Sequence, residues 1–163
     1  MGLTKVRAGG HAAGAVVQVK SFQKTTYFEQ DTHGSMVDCG VSVDITPTSS
    51  SNKILILVSG ALGNDTAGNT ALIHLLRDST KIAVGTSSST ANYNVSAFSL
   101  GGETYSTNHF GISHLDSPAT TSQITYKLQL GAFNGDAFLG GRGDNPTGGQ
   151  STPTNITVME IVG

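Results

Sequence analysis

The sequence predicts an all-β protein: a jelly-roll-like antiparallel β-sandwich with an extended N-terminal arm. Three observations carry this expectation. Apolar and polar residues alternate in run after run, the period of a half-buried strand. Gly, Asn, Ser, Thr and Pro clusters interrupt the runs about every 8–12 residues, a spacing typical of sandwiches. Residues 154–163 are themselves an alternating strand, which must pair with another strand to be stable.

Residues 1–14 are Gly/Ala-rich, carry His11, and lack the apolar content to fold alone. They read as an attachment arm that is mobile when free and held by a neighbouring subunit, with residues 15–163 forming the sandwich domain. From Ala15 the period switches to two, with Val17, Val19 and Ser21 on one face of the first strand. Residues 36–46 set Val37, Cys39, Val41, Val43 and Ile45 against Asp38, Gly40, Ser42, Asp44 and Thr46. Pro47 and the Ser/Asn cluster after it end that strand. Residues 53–62 are more continuously apolar, which predicts a central strand covered on both faces, by a second sheet or by another subunit.

Residues 70–77 could be two turns of helix, but Asp78-Ser79 points to a tight turn and a hairpin with residues 81–85. Further strands are predicted at 95–100, 108–115 and 123–132. Asn134-Gly135 predicts a hairpin turn into residues 136–139. The intervening segments 63–69, 86–94, 101–107 and 140–153 read as polar loops.

A chain of 163 residues can build one sizeable core. Only 12% of it is charged, about half of the usual ~25%. Solubility rests on Ser, Thr, Asn and Gly, a surface suited to packing among copies because few charges need desolvation. A net charge of −2 argues against nucleic-acid binding, which needs a basic face. Cys39 is the one cysteine, so no disulfide forms within the chain, and its alternating context predicts a small buried hydrophobe. No apolar run approaches the ~20 residues of a membrane span. Lys5 and Arg7 are not followed by a signal-peptide core. Val6 occupies the position where myristoylation needs Ser or Thr. The expectation is synthesis in a host cytoplasm and no membrane insertion.

No constellation of residues predicts catalysis, a metal or a cofactor. His109 and His114, five apart, fall on opposite faces of one strand, and no Cys/His/Asp cluster has ligand spacing. Asp116 and Asp136 are the acids a hydrolase pair would use, but Asp116 before Ser117-Pro118 reads as a turn former. Arg142-Gly143-Asp144 reads as part of a flexible exposed loop. The glycosylation patterns at Asn64, Asn94 and Asn155 read as polar strand ends and loops.

Several runs together resemble the C-terminal, fibre-head modules of tailed-bacteriophage tail fibres. They are VSVDITPTSSSNKILILV at 41–58, LRDSTKIAVG at 76–85, LDSPATT at 115–121 followed by YKLQ at 126–129, and ITVME at 156–160. Their order and spacing match across about residues 15–163. The opening LTKV at 3–6 is similar to the N-termini of phage fibre and appendage proteins.

The resemblance implies a non-enzymatic virion structural protein made in the bacterial host cytoplasm. It implies a homotrimer whose partners are itself and the capsid or tail proteins. The chain departs from a full tail fibre in having no heptads or triple-β repeats before the sandwich, and its arm spans at most roughly 50 Å if extended. A short fibre or a capsid decoration or cement protein fits best, with Leu3, Lys5, Val6, Arg7 and His11 in the attachment arm. The alternative is a receptor-binding fibre-tip module that recognises a host surface polysaccharide, with Tyr93, Tyr105 and Arg142 as the glycan-contact residues.

Overall fold

In a computed structural model, residues 12–86, 94–144 and 150–163 are described. Among them every regular element is a strand. In chain order these are β1 (Val16–Lys24), β2 (Phe28–Gln30), β3 (Met36–Ile45), β4 (Lys53–Asn64), β5 (Thr70–Arg77) and β6 (Thr80–Ile82). They continue with β7 (Ala97–Leu100), β8 (Thr107–Asp116), β9 (Ile124–Ala132), β10 (Ala137–Leu139) and β11 (Thr154–Ile161).

Two antiparallel sheets result. The first runs β1-β11-β4-β8, with β10 continuing β11's side of β4 and carrying β2. The second runs β3-β9-β5, with β6 and β7 sharing the far side of β5.

The pairing is nested. β1 pairs β11, β3 pairs β9, β4 pairs β8 and β5 pairs β7. Successive pairs alternate between the sheets, so a hairpin of four strand pairs is rolled up into a sandwich. That is a jelly roll. The predicted jelly-roll-like antiparallel sandwich is therefore observed, with a strand order that sequence periodicity does not encode.

The core lies between the sheets. Ile54, Ile56 and Val58 of β4 and Ile156 and Val158 of β11 meet Cys39, Val41, Ile45, Ile73, Leu75, Leu128 and Leu130 from the other sheet. Each is a period-two position, and each fully buried Leu or Ile contributes about 1.5–3 kcal/mol. Cys39 is fully buried as expected. Its thiol donates to the Leu128 carbonyl at 3.3 Å, and burial pushes its pKa up to about 11.

Three local expectations are corrected. Asn134-Gly135 does not close a hairpin: β9 belongs to the second sheet, and the turn carries the chain across to β10 in the first. The short strand β2 forms where no run predicted one, because it completes the edge beside β10. β4 is central, between β8 and β11, yet it is covered on one face only through residue 59, where Lys53, Leu57 and Ser59 stay exposed. Beyond residue 59 the loop after β10 covers it, and the Gly140 N–H donates to the Ala61 carbonyl.

Candidate interaction surfaces

The sandwich has two unlike ends. The start of β1, the end of β11, the start of β4 and the end of β8 lie together, through the pairs Val16–Ile161, Lys53–Ile161 and Ile54–Asp116. Residues 12–15 lead into β1 at this end. The Gly14 N–H donates to the Val162 carbonyl, and the Val162 N–H donates to that of Ala15. Leu3, Lys5, Val6, Arg7 and His11 lie outside the described residues.

Two buried polar assemblies brace this end, and neither is evident from spacing. Glu160 is fully buried in β11. Its carboxylate accepts from Gln18 Nε2 at 2.5 Å, Asn52 Nδ2 at 2.6 Å, and the Thr48 N–H and hydroxyl at 2.7 and 2.9 Å. Burial alone would raise its pKa, but these donors outweigh burial and hold the carboxyl below its ordinary value. The one signal in the sequence is parity, since Glu160 falls in phase with the inward residues Ile156 and Val158.

Asp116 forms the second assembly. Arg77 Nη1 bonds both of its oxygens at 2.9 and 3.0 Å, and the Tyr126 hydroxyl donates to it at 2.7 Å. Burial first, and then Asp116, drives the Tyr126 pKa far up, so the phenol stays protonated as a donor. Asp116 is thus not a turn former but a buried tie from β8 to β5 and β9. It is also not half of an acid pair. Asp136 precedes Ala137, which pairs with Asn64 at the far end of β4, so the two acids lie roughly 30 Å apart at about 3.3 Å per strand residue. Burial and the neighbouring Asp65 and Asp31 raise the Asp136 pKa.

The opposite end gathers three of the predicted loops. Asn64 donates to the Thr66 and Glu103 carbonyls and accepts from Ser106. Asn69 donates to the Asp136 carbonyl and accepts from the Asn134 N–H. The β4–β5, β7–β8 and β9–β10 loops are therefore stitched to one another.

Tyr105 stands here, 43% exposed, with a left-handed φ of 62°. Arg142 is here too, paired with Asp144 at 2.7 Å. A cavity of about 120 Å3 is lined by Thr107, Gly140, Gly141, Arg142, Gln150, Ser151 and Thr152. Arg142-Gly143-Asp144 is not a loose exposed loop. The ion pair closes it on itself, and a Cβ at Gly143 would come within 2.6 Å of Asp65 Cα. Tyr93 lies outside the described residues. Its segment leaves from Gly85 and returns at Val95, joined by a Gly85-to-Val95 hydrogen bond beside the middle of β5, so its ends are not at the loop end.

The outer faces of the two sheets differ in chemistry. On the second sheet, Lys127 pairs with Asp38 at 2.7 Å, Gln129 donates to Asp38, and Thr125 and Gln123 donate to Asp44. Lys127 and then Gln129 hold the Asp38 carboxyl below its ordinary value. One corner of that face has an apolar cleft of about 300 Å3 lined by Thr70, Leu72, Val95, Phe98 and Phe133.

The first sheet's outer face carries residues in cross-strand rows: Val19, Met159, Leu55 and Leu115, then Ser21, Thr157, Leu57 and Ser113. His74 is buried on β5, where burial and then Lys81 lower its pKa, as for a structural histidine. Among the described residues, no group of three or more His, Cys, Asp or Glu is arranged to hold a metal ion.

No protein-family model matches the chain, and no curated protein matches it. Among solved structures it is similar to a mutant VP2 protein of infectious bursal disease virus in derived T=1 particles, at 14% identity and a TM-score of 0.49. That match covers 100% of this chain and 40% of the other. It is also similar to infectious bursal disease virus of the Gx strain, at 13% identity and a TM-score of 0.48, covering 100% of this chain and 41% of that one. The chain thus spans about two fifths of the length of the solved structures it matches. At that level of likeness, function rests on the chain's own surfaces.

Proposed function

We propose that this chain is a non-enzymatic structural protein of a bacteriophage particle. It is a homotrimeric short-fibre or capsid-decoration subunit, fixed to capsid or tail by its N-terminal arm. The observation that carries this reading is the polarity of the domain. Gly14 and Ala15 bond Val162 just after β11 at one end, and the polar loops gather at the other. A subunit held by its arm would present those loops outward. The fibre-head resemblance over residues 15–163 and the low charge both favour a chain that works among copies of itself.

Deletion of residues 1–14 is expected to reduce incorporation into particles at least tenfold, while the remaining sandwich keeps its β-sheet circular dichroism. Incorporation at the full-length level would reject the arm as the anchor.

A second reading, a tip module that grips a host surface polysaccharide, is favoured by the loop end. Hydroxyl, amide and guanidinium groups line its cavity, and Tyr105 offers an exposed ring for stacking on a sugar face. Under this reading Tyr105→Ala and Arg142→Ala each lower adsorption to the host at least tenfold without changing particle yield. Unchanged adsorption in both variants would leave the purely structural role.

A further inference from the structure

We propose that the outer face of the β1-β11-β4-β8 sheet is the surface through which copies of this chain associate. The inference rests on the homotrimer reading and names the face that reading leaves open.

Side chains on this face run in register across all four strands. The first row is Val19, Met159, Leu55 and Leu115, with Val19 53% and Leu115 49% exposed. The second is Ser21, Thr157, Leu57 and Ser113, and the third is Gln23, Asn155, Ser59 and Gly111. Asp, Glu, Lys and Arg are absent from these rows. Lys53 stands at the margin, opposite Ile161.

The other sheet's outer face has a different chemistry. Its Asp38, Asp44 and Lys127 are engaged in hydrogen bonds and an ion pair at the surface. Burying that face would desolvate three charges, at a cost of several kcal/mol per ion. Burying the first face desolvates none in its rows. Interface cores are depleted in charge in the same way.

The size of the face sets the class of contact. Four strands about 4.8 Å apart and residues 53–59 at about 3.3 Å each give an open rectangle about 19 Å by about 23 Å. That is a projected area of about 440 Å2, roughly half of the about 800 Å2 per partner of a standard interface, and a ring divides it between two neighbours, so the contact is a small one. The apolar row runs from edge strand β1 to edge strand β8. The Val19 side of one copy can therefore meet the Leu115 side of the next, the head-to-tail contact that closes a ring.

The test is the solution mass by light scattering of the full chain, Leu57→Glu/Leu115→Glu, Ser113→Arg, and Phe98→Ser from the other sheet's cleft. Circular dichroism and melting verify that each is folded. The expected result is a trimer for the full chain and for Phe98→Ser. Both first-sheet variants should show a threefold fall to the 16.7 kDa monomer. A wild-type trimer that persists in Leu57→Glu/Leu115→Glu and in Ser113→Arg would overturn this face alone. So would dissociation by Phe98→Ser only. A wild-type monomer at high concentration would overturn the homotrimer reading and the face together.

Discussion

Glu160→Ala is expected to destabilise the domain by about 3–5 kcal/mol, the largest effect of any single polar substitution here. The substitution removes the shared acceptor of Gln18, Asn52 and both donors of Thr48. Those groups come from β1 and the β3–β4 loop, and Asn52 in turn accepts from the Gly163 N–H. Losing the carboxylate therefore loosens the last strand, its edge partner and the adjoining loop together. Each buried donor left without an acceptor costs about 1–3 kcal/mol, softened where water enters the space.

Melting temperature is the readout. At about 2–4 °C per kcal/mol for a chain of this size, a fall near 10 °C is expected. A fall under 2 °C would mean that the clamp contributes nothing. Acid should act on the same residue. Its folded pKa is depressed, so the stabilisation is complete above the ordinary value of 4.5 and is lost as pH falls through the folded value. In Glu160→Gln this part of the acid sensitivity should disappear.

Asp116→Ala comes second, at about 3 kcal/mol. It leaves the Tyr126 hydroxyl without its acceptor and the Arg77 guanidinium without its charge partner. Breaking a buried pair from one side costs about 3–5 kcal/mol. The lower figure applies because the Arg77 side chain is 28% exposed and water can reach it. Tyr126→Phe, which removes only one hydrogen bond, should cost about 1 kcal/mol. A double-mutant cycle between the two positions should show coupling of 0.5 kcal/mol or more, as contacting residues do. Additive effects would show that the two groups act independently.

Much of the fold is legible in the chain because period-two alternation is a local property. Val41, Val43 and Ile45 against Ser42 and Asp44 specify a half-buried strand wherever it pairs. Residues 70–77 are ambiguous with helix by pattern alone, and the turn residues after them resolve the choice. Asn134-Gly135 shows the limit. Its local chemistry specifies a tight turn, but whether the next strand pairs with the previous one depends on which sheet has an open edge.

The interaction surfaces divide in the same way. Tyr105 and Arg142 come from loops recognisable by composition, and the structure places both at one end. Glu160 is not singled out by the sequence, and Asp116 reads there as a turn former, because partners of both are remote. Asn52 and Gln18 lie 108 and 142 residues from Glu160, and Arg77 lies 39 from Asp116. A charged residue at the end of an alternating strand looks like a solvent-facing one until its pairing phase is known.

The sequence by itself determined the strand segments other than β2, the turns between them, the buried Cys39 and the low charge. Each follows from side-chain chemistry read over a few residues. Only the tertiary structure decided the nested order of strands, the gathering of the loops at the end opposite residues 14 and 15, and which sheet carries uncharged rows across four of its strands. These depend on pairs that are distant in sequence, and a jelly roll is built almost wholly from such pairs: β1 finds its partner only when β11 closes the chain.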